Sequence, residues 1–180
     1  QITVVYNCAA KDADGIFLAV CDALRRAGHK LAEFIAQCVK ELEPEDVDVF
    51  EMGSVRGRDA ETEKLPSVVY VMQPQSQMEA LGYNDLLYGW DLNRFLPTYM
   101  NPNEVLDGAI VSGSFMPCSS KWSTYDFQNT PNIRALYREH GKTINFLGVI
   151  MSNLNVAMEQ KERAAQFVAQ LAVSLGADAA

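Results

Sequence analysis

Four short apolar runs alternate with helical periodicities along this chain. Residues 2–6, 68–72, 109–112 and 145–151 are β-branched or continuously apolar, and each gives way to polar, turn-forming residues. That is the pattern of strands buried on both faces. Between the first two, Phe17, Val20, Leu24, Leu31, Phe34, Ile35, Cys38 and Leu42 recur at three- and four-residue spacing. They predict a long helix with one buried stripe, capped by Asp12 or Asp14 and ended by Glu43-Pro44. Gly28 within it marks either close packing or a break between two helices. The polar stretch 53–64, with Arg56 and Arg58, reads as a surface loop. Residues 90–95 suggest a short helix, and Pro97 and Pro102 punctuate an irregular connection to the third strand. Residues 133–140 read as a helix stopped by Gly141. Residues 159–175 form a closing helix with Ala165, Phe167, Val168, Leu171 and Leu175 as its buried side and Gly176 as its C-cap.

Short apolar strands alternating with helices predict an α/β fold. The expected form is a mainly parallel sheet with helices on both faces, three-layered and Rossmann-like. At 180 residues the chain suits a single α/β domain over residues 1–180. It begins inside a strand pattern and stops without a turn, so it is expected to be part of a longer chain. Parallel sheets hold ligands beyond the carboxyl ends of their strands. Those ends read Asn7-Cys8, then residues 73–77, 112–120 and 152–155, all uncharged and hydrogen-bonding. Turn chemistry alone explains such residues; a shared polar pocket is the functional alternative.

Charge narrows the classes. A formal net charge of −8 argues against nucleic acid, which is gripped by clustered Lys and Arg. Arg25, Arg26, His29 and Lys30 read as a solvated helix face. No apolar run reaches the ~18–20 residues of a membrane span. The four cysteines, Cys8, Cys21, Cys38 and Cys118, show no CxxC spacing. Cys21 and Cys38 fall on apolar helix positions as core thiols, and a reduced, cytoplasmic compartment fits. Two isolated histidines suggest no metal site, with His140 reading as a helix-end cap and His29 as a surface residue. No glycine-rich phosphate cradle comes after a strand.

Cys118 is the candidate reactive group. It follows the third strand in a serine-containing loop, where backbone amides can lower a thiol's pKa and form an oxyanion site. No local base completes a cysteine-hydrolase arrangement. A nucleophile, a cofactor precursor and a buried thiol all stay open. Around it lie Phe115, Trp122, Tyr125 and Phe127, which either bury an interface or box a cationic ligand.

The run 107–113, DGAIVSG, preceded by Pro102-Asn103-Glu104-Val105, resembles the substrate-specific component B of glycine, sarcosine and betaine reductases. The likeness continues through LPSVVYV with Gln75 and Gln77, Tyr88-Gly89 with Asp91, and Pro97-Thr98. It runs on through Thr124-Tyr125, Leu136-Tyr137, His140-Gly141-Lys142, Asn145-Phe146, Gly148-Val149-Ile150, Asn153 and Asn155-Val156. It closes with Lys161-Glu162-Arg163 and Leu175-Gly176-Ala177-Asp178. The resemblance implies reductive C–N cleavage of a small amine or amino acid, in a hetero-oligomer with a second component B subunit carrying selenocysteine or cysteine. The carboxymethyl group then passes to the selenocysteine of a separate small protein. In glycine-type members a pyruvoyl group arises when the precursor cuts itself at an Asn-Cys pair just after the Ser-Gly. Here those positions are Ser114 and Phe115. Phenylalanine has no heteroatom to attack the preceding carbonyl, and Cys118 stands three residues later behind Pro117. The expectation is therefore an unprocessed subunit without a pyruvoyl, acting on a quaternary or otherwise pre-activated nitrogen. Cys118 is the expected catalytic residue, and Gln75, Gln77, Ser112, Ser114, Phe115 and Asn153 the expected substrate-binding residues. Two alternatives remain: a binding or assembly subunit that kept the fold but lost the chemistry, and a cysteine-dependent enzyme using Cys118 without partners.

Overall fold

The computed structural model describes residues 13–43, 45, 48–51, 62–74, 85–112 and 122–180. The strand expected at 2–6 lies outside these residues. The chain divides into two compact units, Gln1–Asp48 and Val49–Ala180.

In the first unit, α1 (Ala13–Val39) runs as one helix of 27 residues. It passes through Gly28 without a break, so the cost of a single glycine is carried by the turns on either side. Where its side chains are described, the expected stripe is not buried. Leu31, Phe34, Ile35 and Leu42 are exposed, Phe34 at 64%, and Cys38 is exposed rather than a core thiol. A lone helix can be amphipathic without having anything of its own unit to cover its apolar face.

The second unit holds two three-stranded sheets. The first has β1 (Ser67–Met72), β6 (Asn145–Met151) and β4 (Thr98–Met100), with β6 in the centre. β1 runs parallel to β6 and β4 antiparallel. The second comprises β2 (Leu86–Leu87), β3 (Trp90–Asp91) and β5 (Ile110–Val111), all antiparallel. The described strands thus form small mixed sheets within an α/β unit, rather than one mainly parallel sheet. The third expected strand, as β5, belongs to the second sheet. The helix expected at 90–95 is instead strand β3 followed by a 3-10 turn, Leu92–Arg94. Asp91 accepts from the Asn93 N–H at 2.9 Å, a local side-chain bond that caps a turn rather than extending a helix.

β6 is buried at all seven positions because helices cover both of its faces. Phe146, Val149 and Met151 meet Ile133, Leu136 and Tyr137 of α4 (Pro131–Glu139). Leu147 and Ile150 meet Val168, Leu171, Ala172 and Leu175 of α5 (Met158–Leu175). Each large buried side chain contributes roughly 2 kcal/mol. A bulge makes this division possible. The register slips between Val68 and Val69, which pair with Phe146 and Gly148, so the alternation of faces restarts beyond Leu147. Gly148 has φ +135°, and the Tyr99 ring lies 2.5 Å from where a Cβ would stand. The Tyr99 hydroxyl donates to the Leu147 carbonyl at 2.9 Å. α5 matches its expected span and ends on Gly176 at φ 73°. Its buried side differs by one position: Ala164 is buried and Ala165 exposed. Beyond the cap, the Val69 N–H donates to Ala179 O at 3.1 Å and Asp178 accepts from the Ser67 N–H at 2.8 Å. The tail thereby occupies the free edge of β1.

Candidate functional site

The parallel pairing of β1 and β6 places their carboxyl ends side by side. The Ser152 N–H donates to Met72 O at 2.8 Å and the Leu154 N–H to Pro74 O at 3.2 Å, carrying the ladder past both strands. β4 enters at the same edge, since Thr98 pairs with Met151. It brings residues 95–97 with it, and α5 starts a few residues beyond. A cavity of about 120 Å³ opens where these segments converge, with room for on the order of four waters. One wall is Asn93, Phe95, Leu96 and Pro97. The other is Ser152, Asn153 and Asn155 of the β6–α5 loop, with Gln160, Arg163 and Ala164 of α5.

Three asparagines tie the walls together. The Asn153 amide donates to Asn93 Oδ1 at 2.7 Å and to Asn155 Oδ1 at 3.2 Å. Asn155 Nδ2 donates back to the Asn153 carbonyl at 3.2 Å. Asn153 is only 6% exposed, so its orientation is held by these partners. Ser152 is 3% exposed, and its hydroxyl oxygen is buried without a hydrogen-bond partner. Arg163 reaches the cavity from α5, its guanidinium 5.9 Å from the centre of the Phe167 ring. It is the only ionisable residue among the described lining residues. The cavity can bind and orient a small polar or anionic molecule, and its described lining residues include no thiol, imidazole or carboxylate to act as nucleophile or base.

A second polar cluster surrounds α2 (Pro102–Leu106). Tyr88 donates to the Glu104 carboxylate and Tyr137 to Asn103 Oδ1. The bond to Glu104, with burial and the same negative charge, pushes the Tyr88 phenol up to about 12. Burial, with Tyr99 and Asp107 nearby, takes Tyr137 to about 12, and burial and then Glu104 raise Tyr99. These phenols stay protonated, as donors rather than bases. Phe50 stacks against Tyr137 at 5.2 Å and lies under Arg134. The cluster braces the β6 face that carries α4.

The expected site residues separate. Asn153 lines the cavity. Ser112 stands at the end of β5, its N–H donating to Thr124 Oγ1 at 3.0 Å, and it does not line the cavity. Gln75, Gln77, Ser114, Phe115 and Cys118 lie outside the described residues. The aromatics near them divide. Phe127 is buried against Trp122 at 5.7 Å between ring centres, whereas Tyr125 is exposed. His140 is, as expected, a helix-end residue, accepting from the Phe146 N–H at 3.0 Å. Ser152 and Asn155 carried a signal in the sequence, since both follow a strand. Arg163 stood out only within the Lys161-Glu162-Arg163 run of the family resemblance, and Asn93 and Gln160 carried no signal, being polar residues in a turn and on a charged helix. Among the described residues no His, Cys, Asp or Glu cluster can hold a metal ion, and no helix is long and apolar enough to cross a membrane.

A profile of the glycine/sarcosine/betaine reductase component B subunits matches residues 4–180. The chain belongs to that family. It is 70% identical over 158 residues to the betaine reductase complex component B subunit alpha of Peptoclostridium acidaminophilum, covering 88% of this chain and 36% of that protein. Identity to the sarcosine reductase complex component B subunit alpha of the same organism is 39%, over 87% of this chain and 36% of the relative. Identity to the glycine reductase complex component B subunits alpha and beta of Acetoanaerobium sticklandii is 38%, with the same coverage. The chain therefore spans just over a third of the length of these relatives. No solved structure matches it.

Proposed function

We propose that this chain is part of the substrate-activating subunit of a reductase complex that cleaves the C–N bond of betaine or a closely similar quaternary amine. The observation that carries this reading is the 70% identity to the betaine reductase subunit, nearly twice that to the sarcosine and glycine relatives. The residues also suit such a substrate. Formation of an imine with a ketone requires an N–H, which a quaternary nitrogen lacks. That nitrogen already carries the positive charge that makes it a leaving group. Ser114 and Phe115 occupy the positions of the self-cleaving pair, and Phe115 supplies no heteroatom from which a pyruvoyl can arise. The side chains present do not fit that group.

In the proposed step a selenolate or thiolate of a partner subunit attacks the methylene carbon of the carboxymethyl group. An Se–C or S–C bond forms, the C–N bond breaks, and nitrogen leaves as a neutral tertiary amine with the bonding pair. This chain's part is to hold the substrate, and the cavity beyond β6 is its site among the described residues. Cys118 is the candidate reacting thiol within the chain, in a hetero-oligomer with the seleno- or cysteine-containing component B subunit. The cysteine usage fits a reduced, cytoplasmic setting.

Mass spectrometry of the purified full-length protein, with trimethylamine release from betaine by the assembled complex, tests this. The expected result is an intact peptide across residues 107–121 and release of trimethylamine. Cleavage near residues 114–118 with a blocked new N-terminus, or turnover of glycine but not betaine, would overturn it. A second reading, a binding or assembly subunit without chemistry of its own, is favoured by the described cavity lining, which includes no nucleophile or base. Full turnover by a Cys118→Ala complex selects it.

A further inference from the structure

We infer that the cavity beyond β6 is the carboxylate end of the substrate site, with Arg163 as the cation that pairs with the ligand's carboxylate. This deepens, and rests on, the reading of the chain as a betaine-type reductase subunit.

Four observations converge on it. Arg163 is the only ionisable residue among the described lining residues, and it sets a positive charge at the cavity in a chain whose net charge is −8. Its guanidinium rests on the Phe167 ring face and pairs with no carboxylate among the described residues. That leaves its planar fork of donors for a carboxylate, which it matches in a two-point geometry. Ser152 lines the same cavity with a hydroxyl that has no partner, although the residue is 3% exposed. A buried hydroxyl without a partner is costly, and a change of rotamer can turn it to an acceptor held in the cavity it lines. Asn153, clamped by Asn93 and Asn155, makes the polar wall rigid before any ligand arrives, which lowers the entropy cost of binding.

Apart from Asn93, the opposite wall is apolar. Phe95 and Pro97 face the cavity and suit the alkylated, cationic nitrogen, since a ring face attracts a quaternary ammonium. The volume admits a molecule the size of a small amino acid. A small zwitterion therefore lies with its carboxylate toward α5 and its nitrogen toward the turn before β4.

The test uses the full-length protein in its assembled complex, with calorimetry against betaine and against choline, which keeps the quaternary nitrogen but lacks the carboxylate. Wild type is expected to bind betaine and to discriminate strongly against choline. Arg163→Gln should weaken betaine by about tenfold or more, raising KM with little change in kcat, and Arg163→Lys should recover part of the loss. Ser152→Ala should weaken betaine by about fivefold while leaving the ligand-free melting temperature equal or higher, because it removes an orphaned hydroxyl. Unchanged betaine affinity in both Arg163→Gln and Ser152→Ala overturns this inference and leaves the functional reading standing. Failure of the wild-type complex to bind betaine or release trimethylamine overturns both.

Discussion

The ends of β5 and β6 make an informative pair. Each is an apolar strand followed by a serine, Ser112 in one case and Ser152 in the other. At the end of β5 the chain is tied off. The Ser112 N–H is taken by Thr124, the first residue of α3 (Thr124–Gln128), whose start is closed by the reciprocal Ser123 and Asp126 bonds. At the end of β6 a cavity opens, and the Ser152 hydroxyl is left without a partner. The difference lies in the sheets. β5 is an edge strand of a two-residue-wide antiparallel sheet, with a helix start lying directly against its end. β6 is a central strand flanked by one parallel and one antiparallel neighbour. Three chain segments diverge beyond it, and the gap between them is the candidate site.

The most severe test of this contrast is Gly148→Ala. A side chain at φ +135° is strained, and the Tyr99 ring already occupies its space. The substitution should destabilise the protein by about 3 kcal/mol in chemical denaturation and weaken ligand binding at the end of β6. A neutral result would mean that the bulge does not set the register of β6. Alkaline titration should separate the two regions less drastically. Tyr137 packs on Phe146 of β6 and its phenol is raised from 10.0 to about 12. The raised folded-state value means that its contribution is fully present below about pH 10 and is lost as pH climbs toward 12. Stability should fall across that window, and Tyr137→Phe should flatten the fall. An identical alkaline profile in the variant would remove Tyr137 as its source. The smallest effect belongs to the β5 end, where Thr124→Val deprives the Ser112 N–H of its acceptor and should cost about 1 kcal/mol. Betaine binding should be unchanged. A loss of binding there would mean that the two strand ends act as one site after all.

Much of the second unit is legible from short-range pattern. The continuous apolar runs of β1 and β6, the periodicity of α4 and α5 and the Gly176 cap each report a local preference that tertiary packing reinforced. Residues 90–95 misled because apolar residues at helical spacing cannot reveal that Asp91 will cap a turn. The stripe of α1 shows the converse: periodicity identifies a face that wants cover, not whether the same unit supplies it. For the site, the strand-end rule reached Asn153, Ser152 and Asn155. It could not tell the end of β5 from that of β6, since both are apolar runs that finish in serine.

The sequence by itself determined the apolar strands β1 and β6, the helices α4 and α5, and the family to which the chain belongs. These depend on residues close together in the chain, or on side-chain chemistry alone. Only the tertiary structure decided that β4 runs antiparallel to β6, that a bulge at Gly148 divides β6 between two helices, and that Asn93 meets Asn153 across sixty residues. Strand pairing and long-range hydrogen bonds are chosen by how the faces of the whole unit can be buried together, and no local stretch carries that information.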